Sequence, residues 1–255
     1  MRLRTVAWLV SLLALAACAQ AGARQRAHGL RLATEMGCIS CHGEKLDGHV
    51  FEENAQFAFA WSSNLSRILP GLSNAQIDQT LRTGKRMDGT PLWFMPTFVH
   101  RRLSHEDMQD LIAWLRTVPP TGQLHPPIKF GPLFKAALAQ GFQNSADEAA
   151  RLAARNPADL GQQYAKGRYL ASITCAECHG PDLKGPRNPQ PGDAPDLMVA
   201  ATYSPAGFER LVRTGIKQDG SKAVLMGEEA PKRLSIMTSA EIESIRLYLG
   251  KRPAR

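Results

Sequence analysis

Four of the five cysteines in this 255-residue chain stand in two copies of one constellation, Cys38-Ile39-Ser40-Cys41-His42 and Cys175-Ala176-Glu177-Cys178-His179. Whatever fold the chain adopts must bring two thiols and an imidazole to one place, twice. A disulfide framework gives no reason for histidine to follow the second cysteine both times. A thioredoxin-like Cys-x-x-Cys needs a βαβ setting, and neither copy has strand-like stretches around it. Zinc would ask for further Cys or His ligands at short spacing, and none stands there with the right geometry. What remains is the attachment signature of c-type haem. Two thiols one helical turn apart add to the vinyl groups of one porphyrin, and the adjacent imidazole is set beneath the iron. Two copies predict two covalently bound haem c groups. Cys38, Cys41, Cys175 and Cys178 would form the thioethers, with His42 and His179 as axial ligands.

The likeness between the copies extends well past the cysteines. His42-Gly43-Glu44-Lys45-Leu46-Asp47-Gly48 matches His179-Gly180-Pro181-Asp182-Leu183-Lys184-Gly185, 137 residues later. Arg82-Thr83-Gly84 and Asp88-Gly89 match Arg213-Thr214-Gly215 and Asp219-Gly220 at an offset of 131, and Ala113-Trp114-Leu115 lines up with Leu247-Tyr248-Leu249 at 134. The offsets drift as loop insertions and deletions would make them, while the order of parts holds. Units of this size lie below what usually sustains a strong core, and a covalently held haem would supply the missing apolar interior.

Under the 131-residue offset Met95 falls on Met226. A thioether opposite imidazole gives low-spin iron with a raised potential, so Met95 and Met226 are the expected distal ligands. Met95 is followed by Pro96 in a loop just before a helix. Met226 is followed by Gly227, and Met237 is a rival in the same expected loop. Met87 and Met198 are weaker candidates. His49 and His100 offer a bis-histidine alternative, although both read more simply as surface histidines.

Strand-forming residues are sparse and Ala, Leu, Gln and Arg abound, so the expected fold class is all-α. Ser104 and Thr238 read as N-caps with an acid at the third helical position, ahead of apolar residues at helical spacing. Gly29 to Met36 and Gly167 to Ile173 read as entry helices, each with a glycine that lets the terminal helix, carrying Trp114 or Tyr248, cross closely. Between the repeats, Val118-Pro119-Pro120 and His125-Pro126-Pro127 stop the preceding helix and stiffen the chain. Phe130 to Phe142 is apolar enough to pack on a domain, and Ser145 to Ala154 suits a short helix, so this stretch reads as a structured strap.

At the amino end Arg2 and Arg4 precede Thr5 to Ala17, a stretch without charge that is too short to span a bilayer. This is the pattern of a secretory signal. Leu15-Ala16-Ala17-Cys18 resembles a bacterial lipobox, which would make Cys18 the lipidated first residue of the mature chain. Ordinary cleavage, at Ala17-Cys18-Ala19 or Ala21-Gly22-Ala23, is the competing reading. The expected order of parts is a signal over 1–17, a tether over 18–26, a first unit over 27–118, a strap over 119–159 and a second unit over 160–255. The formal net charge of +8 includes Arg2 and Arg4 and serves solubility as readily as partner docking.

With these residues in place the chain resembles the class I c-type cytochromes, specifically tandem di-haem proteins of bacterial periplasms. The resemblance covers roughly Ala27–Val118 and Leu160–Arg255 and rests on the two Cys-x-x-Cys-His-Gly sequences, Met95-Pro96 and the terminal helices. The run from Asn64 through Asp88-Gly89 to Met95-Pro96 and Ser104 is most similar to cytochrome subunits of membrane-bound alcohol and aldehyde dehydrogenases. Many of those carry three haems, where this chain has two motifs. The resemblance implies a small helical fold around each haem and His42/Met95 and His179/Met226 as axial pairs. It also implies electron transfer without substrate chemistry, from a dehydrogenase donor to a cytochrome or terminal oxidase acceptor of the respiratory chain. The expected location is the periplasm, held to a membrane by the lipid on Cys18, with no nucleic-acid partner. No dinucleotide fingerprint and no nucleophile elbow argues otherwise. The alternative is a di-haem redox enzyme such as a peroxidase, which would need an open distal site on the second iron.

Overall fold

Ser73, Ser104, Asn144, Ser204 and Thr238 each accept a backbone N–H at the start of a helix, and these caps divide most of the chain into helical pieces. The computed structural model describes residues 2–186, 190 and 192–253, with side chains from Ala19 onward. In order, the helices are α1 (Arg2–Glu35), α2 (Cys38–His42), α3 (Leu65–Ile68), α4 (Asn74–Thr83), α5 (Thr97–His100) and α6 (His105–Leu115). They continue with α7 (Pro132–Ala139), α8 (Ser145–Arg151), α9 (Ala165–Thr174), α10 (Ala176–His179), α11 (Pro205–Thr214), α12 (Val224–Arg233) and α13 (Ser239–Gly250). Gly84 and Gly215 end α4 and α11 in the left-handed conformation, at φ 68° in both.

Three features depart from the expectations. First, α1 is continuous, so residues 18–26 are helical rather than a loose tether. Alanine, glutamine and arginine fill that stretch and are strong helix formers. The Cys18 side chain lies outside the described residues. No helix among the described residues is long and apolar enough to cross a membrane. Second, the fold is mostly but not wholly helical. Strands β1 (Val50–Asn54) and β2 (Ala58–Trp61) form an antiparallel hairpin just beyond the first motif, pairing Val50 with Trp61 and Asn54 with Ala58 across a bulge. In β2 the alanines are buried and Phe59 and Trp61 only partly so, a period-2 pattern that sparse β-formers did not advertise. Third, β3 (Lys129–Phe130) adds the intervening segment to β2, with Ala58 opposite Phe130.

That intervening segment is tied down along its length. The Asn64 side chain, only 1% exposed, donates to the carbonyls of Thr121 and Gln123. His125 stacks on Trp61 with ring centroids 4.3 Å apart and hydrogen-bonds the Asp47 carbonyl. Phe130, Phe134 and Phe142 gather around Trp93 at 5.4, 5.1 and 6.2 Å. Helix α8 packs on α5.

The principal packing is α1 on α6 and α9 on α13. A Cβ on Gly29 would lie 2.0 Å from the Asp110 carbonyl oxygen and 2.8 Å from Trp114 Cβ. On Gly167 it would lie 2.0 Å from the Ser244 oxygen and 2.9 Å from Tyr248 Cβ. The two helix crossings are thus built alike, on a glycine against an aromatic. Their apolar faces merge into one core, with Leu32, Met36, Leu111 and Ile112 on one side and Ile173, Ile242, Ile245 and Tyr248 on the other. Gly167→Ala is expected to cost roughly 2–3 kcal/mol, as overpacking against backbone does. Gly71→Ala, where a Cβ meets nothing within 4 Å, is expected to stay within about 0.5 kcal/mol of wild type. Denaturant unfolding followed by circular dichroism checks both.

Candidate functional site

Each motif helix ends in a loop whose backbone is the same in both halves. Gly43 and Gly180 take φ of 81° and 80°, and Leu46 and Leu183 also have positive φ, 51° and 63°. Leu46 N–H donates to Gly43 O and Gly48 N–H to His42 O. Likewise Leu183 N–H donates to Gly180 O and Gly185 N–H to His179 O. Left-handed leucine costs about 1–2 kcal/mol. Both leucines are fully buried, which returns about 1.5–3 kcal/mol each.

This loop brings a backbone carbonyl to each histidine. His42 Nδ1 lies 2.8 Å from Ser63 O, and His179 Nδ1 lies 2.8 Å from Pro195 O. A carbonyl only accepts, so Nδ1 carries the proton and donates, leaving the Nε2 lone pair free. Burial holds both imidazoles below their ordinary pKa, so they are neutral at pH 7, as a metal ligand must be. The residues after those carbonyls, Asn64 and Asp196, cap the turns that follow.

The four motif thiols are unpaired. Burial pushes Cys38 up to about 12 and Cys175 up to about 11, and it raises Cys41 and Cys178 as well. A redox-active Cys-x-x-Cys needs a lowered thiol pKa, so that reading fits these cysteines poorly.

Met95 is half-buried in the loop that precedes α5, after Phe94 at φ 66°. Phe94 is held by Phe51 and Phe142, at 5.3 and 5.9 Å. In the second half the hairpin-like turn before the methionine is repeated: Leu92 N–H donates to Gly84 O, and Ala223 N–H to Gly215 O. The chain then diverges. Met226 lies inside α12, not in the expected loop, because Ala223 begins a helix where the first half continues irregularly to Pro96. Met237 is 2% exposed and immediately precedes the Thr238 cap, the place Leu103 holds before Ser104. It therefore occupies a core position. Of the two histidines considered as surface residues, His49 is exposed, whereas His100 is 4% exposed and its Nδ1 has no partner. His100 lies within electrostatic range of His42, which brings α5, and with it the end of the Met95 loop, near the first motif.

These features fit a covalent haem. Each motif offers two unpaired thiols one turn apart, an imidazole with its outer nitrogen free and, in the first half, an orphaned buried polar atom nearby. Several contributors had little sequence signal. Ser63 and Pro195 act through their carbonyls, which any residue type could supply. Asn64, the start of the run that carries the family resemblance, proves to be a staple. Arg233, 7% exposed between the two motifs, had no signal at all.

Glu35, 1% exposed, has neither carboxylate oxygen hydrogen-bonded, and burial pushes it up to about 7 despite Arg31 at 3.4 Å. The unfolded carboxyl loses its proton near 4.5, while the folded one keeps it to about 7. Stability contributed at this site therefore falls as pH rises through that window, by about 3 kcal/mol. Glu35→Gln is expected to remove this slope, so the stability difference between variant and wild type should grow from pH 4.5 to 7.5 and then level off. Urea melts across that range measure it.

Residues 27–119 match the family model described as Cytochrome c, a span that holds Cys38, Cys41, His42, Met95 and α6. For that span the family carries covalent haem c and haem-based electron transfer. No curated protein matches the chain.

Proposed function

We propose that the chain is a di-haem c-type cytochrome, two tandem cytochrome c domains that pass single electrons between an envelope dehydrogenase and a downstream respiratory acceptor. The observation that carries this reading is the second motif. His179 and its carbonyl partner, the loop through Gly180 and Leu183, and the Gly167 crossing repeat the arrangement of the family-matched half. Haem iron supplies reversible one-electron exchange when bound between imidazole and thioether. The residues' part is to fix and shield it. Cys38, Cys41, Cys175 and Cys178 would anchor it, His42 and His179 would offer Nε2, and Met95 and Met226 would offer their thioethers. The N-terminal segment through Cys18 is read as the export signal and lipid anchor of a periplasmic protein.

A second reading has one observation in its favour. Met226 sits on a helix before Gly227, unlike Met95 in its proline-ended loop, so the second distal position is built differently. A labile ligand there would suit a di-haem enzyme such as a peroxidase.

The test is a pyridine haemochrome count with a reduced-minus-oxidised spectrum of the mature protein. Two haems per chain, a low-spin ferric spectrum with the sulfur-to-iron charge-transfer band, and indifference to carbon monoxide are expected. Carbon monoxide binding by half of the haem would replace the carrier with the second reading, and one haem per chain would remove both. Met95→Ala and Met226→Ala are each expected to abolish about half of the charge-transfer band. Met237→Ala should leave the band intact and cost about 2–5 kcal/mol of stability, as a buried methionine does. Loss of half the band in Met237→Ala, with none in Met226→Ala, would reassign the second ligand.

A further inference from the structure

Arg233, at the end of α12, is buried between the two motifs. Its Nη2 donates to Glu177 Oε2 at 2.7 Å, and Glu177 lies between Cys175 and Cys178. Its Nε donates to the carbonyl of Glu35 at 3.3 Å, next to the turn that opens the first motif. Gly37, which immediately precedes Cys38, leaves the space it occupies. A Cβ there would lie 2.7 Å from Arg233 Cζ. One guanidinium thus touches the entry of the first motif and the middle of the second.

Stability alone does not account for this pair. Burying the guanidinium against a half-buried carboxylate costs desolvation that an apolar side chain would not, and such pairs contribute little net stability. A buried charge does act strongly on any nearby group that gains or loses an electron, because the low dielectric screens it weakly. Nearby charge and hydrogen bonding are among the protein's means of setting a haem potential.

We propose that Arg233 and Glu177 form a shared electrostatic control for the two haem sites, with the guanidinium favouring the reduced state at both and the carboxylate opposing it. The inference rests on the di-haem reading above. Neither residue is an iron ligand. Both act from outside the ligand set, and together they make the potential of each site answer to the same charge pair.

Spectroelectrochemical titration of the full-length holoprotein tests it, using Arg233→Gln, Glu177→Gln, Arg233→Lys and the Arg233→Gln/Glu177→Gln double variant. Arg233→Gln leaves the carboxylate uncompensated and is expected to lower both midpoints. The ferrous-to-ferric ratio at fixed potential should fall at least threefold, about 30 mV at 59 mV per tenfold for one electron. Glu177→Gln leaves the guanidinium uncompensated and should raise both midpoints by a similar factor. Arg233→Lys should stay near wild type, and the double variant should lie between the single ones. The double variant carries no unpaired buried charge, so with Glu177→Gln it supports the test if Arg233→Gln folds poorly. Shifts of the same sign in both single variants, or confined to one haem, would assign the pair a purely structural role and overturn the proposal. So would unchanged midpoints. The haem count of the wild type is read first: a single haem overturns the di-haem reading itself, whereas two haems with unmoved potentials overturn only this inference.

Discussion

A histidine that commits one ring nitrogen to a backbone carbonyl has the lone pair of its other nitrogen aimed in a fixed direction. The bonds from His42 to Ser63 and from His179 to Pro195 do this, and the loops around both motifs are organised to supply them. The acceptor carbonyl must arrive after a sharp return of the chain. That return needs left-handed backbone at Gly43, Leu46 and Gly48, and at Gly180, Leu183 and Gly185. Leucine tolerates such a conformation only because its side chain is driven into the core. A hydrophobic contact therefore holds the strain that sets the imidazole. A few residues on, Ser66 and Leu197 donate their N–H groups back to the carbonyls of Leu46 and Leu183 and close each loop on itself.

The two halves are joined by groups that each could have used locally. Ser104 caps α6, yet Asp107 does not complete a capping box as Glu241 does with Thr238. Its carboxylate instead accepts from the Tyr169 hydroxyl, and Tyr169 in turn accepts from the Ser104 N–H. Arg31 serves Glu241 across the junction, which leaves Glu35 with a neighbouring charge but no hydrogen bond. Arg102 reaches the carbonyls of Arg155 and Pro181. Local helix-end stability, worth about 0.5–2 kcal/mol per cap, is here partly exchanged for contacts between the halves. On the di-haem reading proposed above, such contacts would fix the separation between the two sites.

The motifs, their spacing, the caps and the two glycine crossings could be read from the chain because each is a short-range pattern with one physical meaning. Gly29 and Gly167 were legible through their position opposite Trp114 and Tyr248. What escaped is non-local. The β1–β2 hairpin depends on burying Ala58 and Ala60, which carry no strand signal of their own, and on β3 arriving from seventy residues away. The burial of His100 depends on packing around α5, and Arg233 depends on a junction between halves that no repeat alignment contains. The second methionine was misplaced into a loop for a related reason. The 131-residue offset holds through Gly215 and Ala223, and the insertion that follows becomes helix rather than longer loop.

That insertion separates the two methionines physically. Met95 follows a strained Phe94, and left-handed phenylalanine persists only where its surroundings over-determine it. Here they do. Phe51, Phe57 and Phe142 all lie within ring contact of Phe94, while Trp93 beside it is packed by Phe130, Phe134 and Phe142. Aromatic pairs contribute about 0.5–1.5 kcal/mol each beyond their burial, so the set exceeds the strain it holds. Most of these rings come from β1 and from the segment between the repeats. Met226 has a helix in place of this clasp, with Val224 and Leu225 beside it 80% and 52% exposed. The first methionine sits in an irregular loop clasped by aromatic rings, and the second on the first turns of a helix, with its side chain packed against the core. A helix turn near its N-terminus opens more readily than a packed aromatic cluster. On the di-haem reading proposed above, this asymmetry would make the second iron the one that exchanges its sulfur ligand more readily.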